Sequence, residues 1–149
     1  MKKFVLILLS SFILVSGCAS LNDLAKEVMK ARQGGREGIS KVYPVNTREA
    51  WDITMAVFCW EKTDEIEEHR DENYVITSTG MKMVAFGSVM GVWIEPVDAE
   101  HTRITTITKR RVRSDCFTEL TGPKFFKRFE QGVIILKSGK KLPVTPPEG

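Results

Sequence analysis

Residues 42–60 read VYPVNTREAWDITMAVFCW, and this stretch decides the fold. Val42-Tyr43-Pro44-Val45 is apolar and rich in strand-forming residues, which predicts a short strand. Pro44 has no backbone N–H to offer a neighbour, so that strand belongs at the edge of its sheet. Asn46 followed by Glu49 is a capping-box pattern, so a helix starts at Thr47 and runs to about Lys62. Ala50, Trp51, Thr54, Met55 and Phe58 make one stripe of it, widened by Ile53 and Val57. A face that broad has to pack on a sheet or on another helix. Trp51 therefore reads as an aromatic core residue, although Trp51 and Trp60 also have the chemistry for stacking on a ligand.

Downstream, period-two segments follow. Glu65 to Arg70 and Tyr74 to Thr79 flank Asp71-Glu72-Asn73, a turn by composition, and predict a hairpin. The acidic run from Asp64 to Glu68 has no calcium-loop spacing; charge on an exposed edge strand accounts for it. Met81 to Met90 fits neither helical nor strand periodicity well and reads as a strand with a bulge near Gly87. Val92 to Pro96 continues as strand, and Asp98-Ala99-Glu100-His101 makes a turn. Thr102 to Arg113 is a long strand with Ile104, Thr106, Thr108 and Val112 on one face. Ile107 breaks that alternation, which requires either a bulge or cover on both faces.

Gly122-Pro123 opens a last helix, with proline in its first turn. Phe125, Phe126, Phe129, Val133 and Leu136 share one side. Gly132 costs roughly 1 kcal/mol in propensity there, tolerable where it allows close packing. The proline-rich residues 140–149 read as a disordered tail. The whole predicts an α+β domain over residues 39–139, an antiparallel sheet of about four or five strands with two helices packed on one face.

The N-terminal residues carry a different message. Lys2 and Lys3 precede the apolar run Phe4 to Val15, and Val15-Ser16-Gly17-Cys18 closes it. The run of about 12 residues is too short to span a bilayer, which takes roughly 20. The layout is that of a secretory signal peptide over residues 1–17. With cysteine at its end, it resembles the lipobox of bacterial lipoproteins. The resemblance implies cleavage before Cys18, acylation of its thiol and of the new N-terminus, and anchoring to a membrane. In a Gram-negative host, Ala19 in place of aspartate implies the outer membrane, facing the periplasm. The α+β element order, taken with the lipobox, resembles the helix-grip domains of BamC-type envelope lipoproteins; no functional position carries over from it.

Leu21 to Gln33 has an amphipathic helical pattern, with Leu21, Leu24, Ala25, Val28 and Met29 at helical spacing. So short a helix is marginal by itself in water. Docking on the domain, lying on the membrane and forming a loose tether are all open to it. The glycines at 34, 35 and 38 favour the tether, over residues 18–38.

Of 22 basic and 19 acidic side chains, two basic ones lie in the predicted signal peptide, so the remaining charge is nearly balanced. That gives no basic face for nucleic acid. The run from Lys109 to Arg113 reads as solvated charge on a strand. Cys59 and Cys116 form an even pair in an oxidising compartment, and a disulfide is expected. It would close a loop of about 57 residues, a stabilisation of about 4 kcal/mol on the chain-entropy model. Two unpaired, buried thiols are the alternative.

No catalytic motif appears. His69 and His101 sit in no HExxH pattern, and GxSxG and P-loop signatures are absent. Zinc held by Cys59, Cys116 and the histidines has suitable ligand types without ligand spacing, and neither a metal nor another cofactor is expected. Met81, Met83 and Met90 have thioethers suited to Cu(I) but serve more commonly as packing material. The expected function is a non-catalytic, lipid-anchored module that binds an envelope protein. The alternative is a lipid or small apolar ligand held between the Met81–Trp93 segment and the helices.

Overall fold

The computed structural model describes residues 21–35, 37–80, 87–112 and 120–148. Its elements are α1 (Leu21–Gly34), β1 (Ile39–Tyr43), α2 (Thr47–Trp60), β2 (Glu65–His69), β3 (Tyr74–Thr79), β4 (Ser88–Pro96), β5 (Thr102–Arg110) and α3 (Gly122–Lys137). The five strands form one antiparallel sheet in the order β1-β5-β4-β3-β2. The fold is α+β, with α2 and α3 together on one face. Cys18, Met81, Met83 and Cys116 lie outside the described residues, as does the segment read as a signal peptide.

Local chemistry sets the boundaries. The Asn46 side chain accepts from the Glu49 backbone N–H at 2.9 Å, and the Glu49 carboxylate accepts from the Asn46 N–H at 3.0 Å. This reciprocal pair satisfies two otherwise orphaned donors at the start of α2. Asn73 takes the left-handed conformation, φ 58°, that turns β2 into β3. Edge strand β1 ends at Tyr43, so Pro44 falls just beyond it rather than inside it.

The pleat divides the sheet into two apolar faces. Val75, Met90, Val92, Ile94 and Ile104 point to α2 and α3, where they meet Ile53, Val57, Phe58, Phe125, Phe126 and Phe129. Gly132 is what lets the two helices approach: a Cβ there would lie 2.6 Å from Ile53 Cγ2. On the opposite face Tyr74, Val89, Trp93 and Ile107 are buried together with Leu24 and Val28 of α1.

Residues 21–34 are thus not a tether. They form a helix whose apolar edge is seated on β4 and β5. Burying Leu24 and Val28 contributes roughly 1.5–3 kcal/mol each, which offsets the poor intrinsic stability of so short a helix. Arg32 adds a clasp, 2.6 Å from Glu95 and over the Trp93 ring at 5.2 Å. The same seating explains Ile107. Strands β4 and β5 pair one for one from Ser88↔Arg110 to Pro96↔Thr102, so no bulge redirects it. It points to the second face because α1 covers that face.

Residues 140–148 also depart from the disordered tail expected of them. The Trp60 indole N–H donates to the Pro143 carbonyl at 2.9 Å, and Arg128 donates to the Pro147 carbonyl at 3.0 Å. Leu142 packs on the edge of the core.

Gly91 makes room for α1, since a Cβ there would sit 2.7 Å from Val28 Cγ1. Gly91→Ala should therefore destabilise the protein by about 1–3 kcal/mol, the usual range for overpacking. Amide exchange in residues 24–33 should accelerate more than in α3. Equal acceleration in all three helices would show that α1 is not seated as a separate layer.

Candidate functional site

The two sheet edges differ in chemistry. β2 carries Glu65, Glu67 and Glu68, all exposed, around a single exposed apolar side chain, Ile66. His69 Nε2 lies 2.8 Å from Glu67 Oε1, and its ring stacks on Tyr74 with centroids 4.4 Å apart. Arg70 donates to Glu68 at 2.7 Å and lies over the Trp51 ring at 4.5 Å. A strand lined with carboxylates repels an incoming strand, a common way of closing a sheet edge.

β1 is not guarded in that way. Ile39 is 38% exposed and Val42 49% exposed. Its one charge, Lys41, is turned onto α3, where Nζ lies 2.9 Å from Glu130 Oε1 and 5.2 Å from the Phe126 ring centroid. Tyr43 follows the same course. Its ring packs on Phe129 at 4.8 Å, and its hydroxyl donates to Glu130 Oε1 at 3.1 Å. Burial pushes the Tyr43 hydroxyl far above its ordinary range, and the Glu130 charge adds to this. The Glu130 carboxyl is held below its ordinary value, chiefly by the hydrogen bond from Lys41. β1 pairs only with β5, so its outward N–H and C=O groups form an open ladder edge with two exposed apolar side chains beside it.

The residues singled out for chemistry are dispersed among structural duties. His101 lies in the β4–β5 turn, Nδ1 2.9 Å from Asp98 Oδ1. That carboxylate also accepts from the backbone N–H groups of Glu100 and His101, both at 2.8 Å. These bonds, the Glu100 N–H first, hold the Asp98 carboxyl below its usual value. The pair closes a turn. Met90 is buried in the core facing α2 and α3. Trp51 is a core residue, as its helical spacing implied. Among the described residues no three His, Cys, Asp or Glu side chains converge as a metal site. Cys59 is exposed in the last turn of α2, which excludes a buried thiol at that position.

The docking of α1 is one of the alternatives the sequence leaves open, though its glycines favour a tether. Two arrangements have no such warning. One is the seating of residues 140–148. The other is the buried carboxylate of Glu61, just past α2, which Lys124 and Arg128 of α3 hold together, Arg128 Nε at 2.9 Å. Only the spacing of Lys124 and Arg128, one turn apart, hinted at a shared acceptor.

No protein-family model, curated protein or solved structure matches this chain.

Glu130→Gln tests the brace that turns Lys41 away from the β1 edge. A folded-state value held low means the carboxylate is favoured by the fold. Its contribution is complete above the ordinary carboxylate range and is lost as pH falls through the depressed value. Because Lys41 and Glu130 are half exposed, the contribution should be well under 1 kcal/mol. Thermal melts of wild type and Glu130→Gln should differ slightly at pH 7, and the difference should shrink as pH falls below the ordinary carboxylate range and through the depressed value of Glu130. A difference that stays the same across the acid range would mean that the charge is not the cause.

Proposed function

We propose that this chain is an envelope lipoprotein, anchored through lipid on Cys18, and that it works as a non-catalytic protein-interaction or accessory module. In a Gram-negative host it would sit on the periplasmic face of the outer membrane. Anchoring is supported by the Lys2-Lys3 start, the apolar run and Val15-Ser16-Gly17-Cys18. The interaction reading is carried by the contrast between the edges. β2 is closed by charge, whereas β1 leaves its ladder open between Ile39 and Val42. An extended segment of an envelope protein could add to that edge, with main-chain bonds supplying affinity and side-chain contacts supplying choice.

A site for a lipid or a small apolar ligand is the competing reading. The space between the sheet and the helix pair is filled by Phe58, Phe125, Phe126 and Phe129, all fully buried, which supports the interaction module instead.

A photo-crosslinking residue at Val42, introduced into the full chain in cells, tests both halves of the proposal. The expected product is one envelope protein joined at fixed stoichiometry in the membrane fraction. The same chain carrying Cys18→Ala should appear unlipidated in the soluble fraction by intact mass. An unmodified Cys18 in the wild-type chain would sink the anchoring. Crosslinks that are absent, or scattered over many proteins, would count against β1 as the docking edge.

A disulfide from Cys59, an exposed and free thiol in the structure, to Cys116 is a further part of the proposal. In an oxidising compartment an exposed thiol pairs readily. Peptide mapping without reductant should recover one Cys59–Cys116 link and no free thiol in protein taken from the envelope. Its reduction should cost 2–5 kcal/mol of stability, the usual range for a small secreted domain. Two freely titrating thiols in the native protein would dismiss the bridge.

A further inference from the structure

Residues 140–148 include three prolines, at 143, 146 and 147, yet they lie against the folded domain. Two polar contacts hold them. The Trp60 indole N–H and the Arg128 guanidinium donate to the carbonyls of Pro143 and Pro147, at 2.9 and 3.0 Å. Both donors are fixed from behind. Trp60 is only 4% exposed, in the core. Arg128 is held by Glu61 Oε1 at 2.9 Å and by Gln131 Oε1 at 3.0 Å. Glu61 is itself locked between Lys124 and Arg128, with its side chain only 6% exposed.

Proline has no N–H to give, so a segment rich in it is recognised through its carbonyl oxygens and ring surfaces. Its restricted backbone also lowers the entropy lost on seating. A fixed indole donor and a fixed guanidinium, set beside the apolar contact that takes Leu142, match the carbonyl part of that chemistry, while Pro143 and Pro146 themselves stay exposed. The segment is lightly held, since Val144 is 84% exposed and little apolar surface is buried. Lightly held segments open at low cost.

We infer that the surface formed by the C-terminal turn of α2 and the facing turns of α3 is a binding site for an extended, proline-containing peptide, with residues 140–148 as its ligand in cis. This goes beyond the proposed β1 edge, because it is a second surface with a different recognition chemistry. A ligand tethered this closely acts at an effective concentration in the millimolar range. A partner segment of the same type would have to exceed that to displace it.

The test uses the full chain and a chain ending at Lys141, both in detergent, with a labelled synthetic peptide of residues 140–149 as the probe. In the shortened chain the Trp60 indole N–H resonance should move, and added peptide should return it towards its original position. Peptide binding, read by anisotropy, should be at least tenfold weaker to the full chain. Trp60→Phe in the shortened chain keeps the ring and removes the donor, and should weaken binding about fivefold, the loss of one ordinary hydrogen bond. A peptide with its three prolines changed to alanine should bind more weakly. If the shortened chain does not fold, the same titration on the full chain carrying Pro143→Gly, Pro146→Gly and Pro147→Gly should show stronger binding than wild type. An indole resonance identical in the two chains, no binding at several millimolar peptide, or equal binding of the alanine peptide would each overturn the inference.

Discussion

The structure depends on β4 being buried on both faces. From Ser88 to Ile94 every residue is buried, and apolar side chains point both ways: Met90, Val92 and Ile94 to one side, Val89 and Trp93 to the other. A sheet with a wet face would show alternation here. It does not, so two layers of helix are required. α2 and α3 supply one, and α1 supplies the other. Gly91, the one position in the strand without a side chain, leaves the space that Val28 of α1 and the Trp93 ring take up.

Elements whose residues commit to one period were legible in advance. The capping box at Asn46 and Glu49, the alternating strands and the phenylalanine stripe of α3 each have a local cause that needs no partner. The second layer was harder to see because its evidence was split. Leu24 and Val28 lie in a helix too short to stand alone, and glycines separate it from β1. The apolar residues that demand it, Val89, Trp93 and Ile107, lie more than sixty positions away. Ile107 held the clue, since an apolar residue on the supposedly solvated face is costly unless something covers it. Glu65 to Glu68 were legible as a charged edge because no core could take them. The openness of β1 was not, because it depends on Glu130 drawing Lys41 and the Tyr43 hydroxyl onto α3.

The segment after α3 was misread for a related reason. A proline-rich composition argues against helix and strand, and that much holds for residues 140–148. It does not argue against contact. Proline removes a donor but leaves the carbonyl, and two such carbonyls find Trp60 and Arg128. By its chemistry Trp60 is also suited to stacking on a ligand. Its ring is buried instead, and its indole N–H is the group left available, as is common for a tryptophan at a surface boundary.

These layers bear on the proposed anchoring. If lipid is attached at Cys18, only two residues, Ala19 and Ser20, separate it from α1, three steps of the chain or about 10 Å when fully extended. Since α1 is seated on the sheet, no long spacer would intervene, and the domain would be held against the bilayer surface. The point of entry can also be placed. Asn22 and Ala25, in the first turns of α1, line a cleft with Glu65 and Glu67 of β2 and Ile76 of β3, so the chain enters on the side of the charged edge. β1 lies four strands away, about 19 Å across the sheet at ordinary strand spacing. A lipid anchor attached there would therefore bring the closed edge nearer the membrane and leave the open edge farther from it. That is the arrangement a partner outside the bilayer would need in order to reach Ile39 and Val42.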